Sequence, residues 1–149
     1  MFRGIYPISL DTKYRLAIPT RYRAELVDQY EGHLVGTVNQ VGCLALYPLP
    51  IWESVEEELS QLPSFVAQTS EVQRMMLAHA SELDVDSHGR VLMPTLLRQF
   101  ANIDKHVVLA GMGKKFELWN ADVWQARCAK WQAEGGSSDP RPELARLAI

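Results

Sequence analysis

Cysteine is scarce: Cys43 and Cys128 are the only two in 149 residues, and neither lies near another cysteine or a histidine at ligand spacing. A disulfide scaffold and a structural zinc site are therefore not expected, and a reducing, cytoplasmic compartment is. Long uncharged runs are also missing, which argues against a transmembrane helix. The opening Met1-Phe2-Arg3-Gly4 leads straight into patterned sequence, so no cleaved leader is expected. No glycine-rich phosphate loop precedes a helical pattern, and no Ser, Cys or Lys stands in a nucleophile motif. His33, His79, His88 and His106 are scattered, while Asp84 and Asp86, two apart on a strand, read as exposed acids. The expectation is a protein without catalytic residues, cofactor or metal. Packing groups are plentiful: the chain is 47% hydrophobic and 22% charged, enough to bury a sizeable core.

Charge is unevenly spread. Residues 1–23 hold Arg3, Lys13, Arg15, Arg21 and Arg23 against Asp11 alone, net +4, whereas the rest carries −7, for a total of −3. A cationic segment on an acidic body points to a local anion-binding surface. The structural alternative is a solvated surface whose arginines pair with Glu25, Asp28 and Glu31.

Residues 10–23 align without gaps to residues 85–98, with five of fourteen positions identical and five more apolar or aromatic in both. The identities are Asp11/Asp86, Arg15/Arg90, Pro19/Pro94, Thr20/Thr95 and Arg23/Arg98. Similarity resumes after a three-residue shift, placing residues 43–47 over 115–119 and Trp52 over Trp124. Each copy reads as a strand (5–10; 82–85), a polar turn, a short apolar run (16–18; 91–93) and a helix with Pro19 or Pro94 in its first turn. Tyr22 and Leu26, then Leu97 and Ala101, supply the apolar faces of those helices. Two further strands follow in each copy, 34–38 and 43–47, then 107–110 and 116–119. Trp52, Val55, Leu59 and Leu62 form one stripe of a following helix, and Val123, Trp124, Cys128 and Trp131 form its counterpart. Pro63 ends one helix, and Ser70 is read as the cap of the next. The organisation predicted is a module at 1–52, connecting helices at 53–81, a module at 82–124, and a helix plus flexible tail at 125–149. The Gly-Gly-Ser-Ser-Asp-Pro-Arg-Pro stretch at 135–142 has linker composition, and no function is assigned to the tail.

The doubled Asp-x-x-x-Arg turn carries the most information. A leading Asp accepts hydrogen bonds from backbone N–H groups just downstream and stiffens the turn, and Gly89 permits positive φ. Arg15 and Arg90 are then held at rigid turn ends, where binding costs little side-chain entropy. The alternative is that each Arg serves only as an ion-pair partner of its own Asp. Arg90, among Glu82, Asp84 and Asp86, fits that alternative better than Arg15, which stands among Lys13, Arg21 and Arg23.

The opening tetrapeptide, Leu10-Asp11-x-Lys13-x-Arg15-Leu16, Pro19-x-Arg21-Tyr22-Arg23, Asp86-x-x-Gly89-Arg90 with Pro94 and Leu97, and the run 116–119 together resemble the MraZ family over residues 1–124. The resemblance implies an α+β fold, mostly β with added helices. Two tandem AbrB-like swapped-hairpin modules would form an intrachain pseudo-dimeric β-barrel. It implies a bacterial transcriptional regulator of the division and cell-wall gene cluster, acting also at its own promoter. As a ring homo-oligomer it would bind short direct repeats in double-stranded DNA, in the cytoplasm at the nucleoid, with no membrane or small-molecule partner. By position, the DNA-facing residues implied are Arg3, Lys13 and Arg15, then Arg21 and Arg23, with His88 and Arg90 as second-copy equivalents. Asp11, Asp86 and Gly89 are implied to shape the turns. The family pattern has Gly where this chain has Tyr14. A left-handed backbone there would cost Tyr about 1 kcal/mol, so either the first turn has another shape or the requirement is looser, and Tyr14 is free to stack on a sugar or fill a groove. From another class, a scaffold protein whose basic N-terminus binds an acidic partner fits the same charges.

Overall fold

The computed structural model describes residues 1–134 and, beyond them, Leu144, Arg146 and Leu147. The expected linker and nearly all of the last seven residues lie outside the described residues. The first half runs β1 (Ile5–Ser9), β2 (Arg15–Ala17), α1 (Thr20–Tyr30), β3 (His33–Val38), β4 (Leu44–Pro48) and α2 (Leu49–Gln61), followed by α3 (Ala67–Ala78). The second half repeats the series as β5 (Ser81–Asp84), β6 (Arg90–Leu92), α4 (Thr95–Phe100), β7 (His106–Gly111), β8 (Phe116–Asn120) and α5 (Ala121–Glu134). No described helix is long and apolar enough to cross a membrane.

Six strands form one antiparallel sheet in the order β1-β7-β8-β4-β3-β5, and β2 pairs with β6 as a separate ribbon. Exchanging the halves reverses the six-strand order onto itself. The first strand of each half has crossed over: β1 pairs with β7, and β5 with β3. Leu16 faces Val91 across the ribbon, both fully buried, at the pseudo-twofold axis. Around them Ile18, Leu26, Met93, Leu97, Leu109 and Phe116 belong to one core shared by both halves. Neither half could close that core alone, because each lends its first strand to the other.

The class is α+β, as expected. The ribbon is tied to both edges of the sheet: just past β1 the Asp11 N–H donates to the Arg15 carbonyl at 3.2 Å, and just past β5 the Asp86 N–H donates to the Arg90 carbonyl at 2.8 Å. Among the described residues helix exceeds strand, 42% to 28%, and the helices flank the β core rather than form it. Two finer expectations are corrected. Pro19 and Pro94 stand at the caps, one position before the helices, where extended φ/ψ suits them. Ser70 lies inside α3 and donates to the Ser64 carbonyl; the helix starts three residues earlier, after extended Val66. Sequence boundaries miss such a start because the capping residue, Val66, has no side-chain oxygen to accept from the first turn, whereas Thr69 and Ser70, good cap types, lie inside the helix.

Candidate nucleic-acid interface

The turns at 10–15 and 85–90 are built alike. Asp11 Oδ1 accepts from the backbone N–H groups of Lys13 and Arg15, each at 2.9 Å, and the Tyr14 N–H donates to the Asp11 carbonyl at 3.0 Å. Asp86 Oδ1 accepts from His88 and Arg90 at 2.8 and 2.9 Å, with the Gly89 N–H on the Asp86 carbonyl at 3.0 Å. Each turn also holds the opposite half: the Ile18 N–H donates to the Gly89 carbonyl (2.9 Å) and the Met93 N–H to the Tyr14 carbonyl (3.0 Å). Because these N–H donors favour the ionised carboxylate, both acids sit below the usual carboxylate range, Asp11 chiefly through the Arg15 N–H and Asp86 chiefly through the Arg90 N–H.

Tyr14 does adopt the left-handed backbone, φ +59°, matching Gly89 at +77°. The cost of about 1 kcal/mol is offset by a contact that Gly cannot make. The Arg98 guanidinium lies 3.6 Å from the centre of the Tyr14 ring, a cation–π contact worth about 0.5–1 kcal/mol at a partly exposed site. At the equivalent place Arg23 lies directly on Gly89, where a Cβ would stand 2.5 Å from its Nε. Both arginines are pinned from behind, Arg23 Nε on the Ile18 carbonyl (2.6 Å) and Arg98 Nε on the Met93 carbonyl (3.0 Å).

The structure gathers Lys13, Arg15, Arg23, His88, Arg90 and Arg98 around the ribbon's two turns. Lys13 and His88 are exposed at the turn tips. Arg15 donates from Nε to Asp11 Oδ2 at 2.6 Å, yet its side chain stays 29% exposed and its terminal amino groups take no partner among the described residues. Arg90 Nε lies 3.3 Å from Asp86 Oδ2 without completing a hydrogen bond, and Nη1 lies 3.8 Å from Asp11 Oδ2. The ion-pair alternative therefore describes one edge of Arg15, not its whole guanidinium. Arg3 and Arg21 meet instead at Tyr22, whose hydroxyl donates to the Arg3 carbonyl (2.8 Å) and whose ring lies 5.3 Å from the Arg21 guanidinium. Arg3 is exposed, and its backbone lies so close to Gly111 that any Cβ there would collide with it. Among the described residues no carboxylate pairs with Arg3, Lys13, Arg21, Arg23 or Arg98. Arg98 is the member absent from the sequence-based site. Its alignment with Arg23 was the available signal, but nothing in one sequence shows that it covers the turn of the other half.

The family model described as MraZ protein, antitoxin-like, matches twice, over residues 1–75 and 76–145. The chain belongs to the MraZ family. Among similar proteins, transcriptional regulator MraZ of Thioalkalivibrio sulfidiphilus is 44% identical over 150 residues, covering 100% of both chains. That of Methylococcus capsulatus is 47% identical over 152 residues, again with full coverage, and that of Legionella pneumophila 46% over 145 residues, 96% of this chain and 95% of the relative. The double match to the MraZ model follows the pseudo-twofold seen in the strand order: the first strand inside each matched segment, β1 or β5, is one of the exchanged strands.

Proposed function

We propose that this chain is a sequence-specific DNA-binding transcriptional regulator without catalytic activity, reading double-stranded DNA through its two Asp-braced turns. The observation that carries the reading is the pair of pseudo-symmetric turns, one holding Arg15 by a single guanidinium edge and the other setting Arg90 beside Asp86 and Asp11, each side chain 29% exposed. Lys13 and Arg15 contact phosphates or base edges, Arg being able to grip guanine O6 and N7 with two hydrogen bonds. Arg3, Arg21 and Arg23 add positive charge from the first half; His88 and Arg90 act from the second. The modules are 1–52 and 82–124, joined by the helices of 53–81. One subunit presents few charges, so useful affinity comes from a ring of copies engaging short direct repeats together. The target is its own promoter, at the division and cell-wall genes, and the protein works in the cytoplasm at the nucleoid.

The test is anisotropy titration of a duplex from the region upstream of its own gene. Arg15→Ala should weaken binding by about 1–3 kcal/mol, roughly ten- to a hundredfold, with the oligomer unchanged. The Asp11 backbone bonds keep the turn shaped in that variant. Unchanged binding refutes the assignment, and salt-insensitive binding of an acidic protein instead would favour the scaffold reading.

A further inference from the structure

Each turn closes a loop of contacts with the opposite half. The Tyr14 carbonyl accepts from the Met93 N–H, the Met93 carbonyl accepts from Arg98 Nε, and the Arg98 guanidinium returns to the Tyr14 ring at 3.6 Å. The second loop is its pseudo-symmetric copy. The Gly89 carbonyl accepts from the Ile18 N–H, the Ile18 carbonyl accepts from Arg23 Nε, and Arg23 lies over Gly89. Arg23 on α1 and Arg98 on α4 occupy matching places in the repeat, and each reaches across the ribbon to the turn of the other copy.

The turns have their shape without these arginines. Asp11 and Asp86 each hold two backbone N–H groups, and the ribbon fixes the register. The loops add a positive charge beside the residue that follows Lys13 in one turn and His88 in the other. Both arginines are partly exposed, and no carboxylate pairs with either among the described residues. A long side chain fixed before its ligand arrives loses less entropy on binding.

The donors that remain define the ligand. Arg98 commits Nε to Met93 and Nη2 to Thr95 Oγ1 at 3.1 Å, and Nη1 takes no partner among the described residues. A two-donor grip on guanine needs an edge with both nitrogens uncommitted, whereas a single amino group suits one anionic oxygen.

We infer that Arg98 contacts a DNA phosphate as part of the first turn and Arg23 as part of the second, so each DNA-contacting turn is completed by the other half of the chain. Tyr14 is then the seat of Arg98. The inference rests on the DNA-binding reading above and deepens it.

Anisotropy titration of the same duplex at several salt concentrations tests this, with urea unfolding of every variant alongside. Arg98→Ala should lower the slope of log affinity against log salt by about one. Arg98→Lys should keep the slope, because the charge returns without the stacked geometry. Lys130→Ala, on α5 and outside the core that holds the ribbon, should leave it unchanged. In a Tyr14→Leu background the factor lost to Arg98→Ala should shrink by about threefold, while that lost to Arg23→Ala should stay the same to within about twofold. An unchanged slope in Arg98→Ala overturns the inference, since the residue then only props the turn. So does a Lys variant with the slope of the Ala variant, or a loss on Arg98→Ala that is indifferent to the Tyr14 ring. If Arg15→Ala leaves binding intact, the DNA reading itself fails; if Arg15→Ala weakens binding and Arg98→Ala does not, this inference alone fails.

Discussion

The two halves share a scaffold and differ in what they mount on it. Tyr14 and Gly89 have the same left-handed backbone, but one supports a stacked Arg98 and the other lies under Arg23. Lys13 is matched by His88, Arg21 by Leu96 (70% exposed), and the Asp84 that bonds His33 by the Ser9 that meets His106. The backbone hydrogen bonds and the buried ribbon are common to both halves, whereas most of the cationic groups belong to the first. A fused repeat can therefore keep its twofold core while its two turns diverge, because the core constrains Leu16 and Val91 and hardly constrains a turn tip.

Breaking the shared part should have the largest effect. Leu16→Ala, at the pseudo-twofold axis, should cost about 2–5 kcal/mol in urea unfolding and disturb both turns together, since nothing else fills the space opposite Val91. Next come the turns themselves. Gly89→Ala should cost about 1–3 kcal/mol, from positive φ and from pushing Arg23 off its seat. Tyr14→Gly should change stability by less than about 1 kcal/mol, because relieved strain is set against the lost Arg98 contact and a freer unfolded chain. Arginine variants sharpen the comparison for binding: Arg90→Ala should weaken the duplex complex less than Arg15→Ala, its turn having a single exposed imidazole where the first has Lys13. Lys13→Ala should lower the salt slope of binding by about one, a smaller loss spread across all sequences.

Acid and base should separate the halves as well. The depressed Asp11 and Asp86 add stability above their unfolded pKa of about 3.9, and it is lost as pH falls through their lower folded values. Asn at either position should flatten the acid limb of a stability-against-pH curve. His33, raised mainly by its hydrogen bond to Asp84, adds stability below about 6.5 that disappears as pH rises through its folded value. Asp84→Ser, copying the other half, should bring the His33 titration seen by NMR back toward the ordinary range.

The repeat, the Asp-braced turns and the helix stripes were legible in the sequence because each depends on residues close along the chain. Asp11 reaches N–H groups two and four residues on, and Trp52 and Leu59 lie two turns apart on one helix. The start of α3 was not legible, nor was Arg98 as the cover of Tyr14, since that contact joins residues of different copies.

By itself the order of residues determined that one unit is written twice, that its turns are stiff, and that most surplus positive charge lies in the first copy. Only the tertiary structure decided which copy each turn serves. Hydrogen-bond ladders between distant strands are satisfied equally well within or across repeats, and burial of Leu16 against Val91 selects the crossed arrangement.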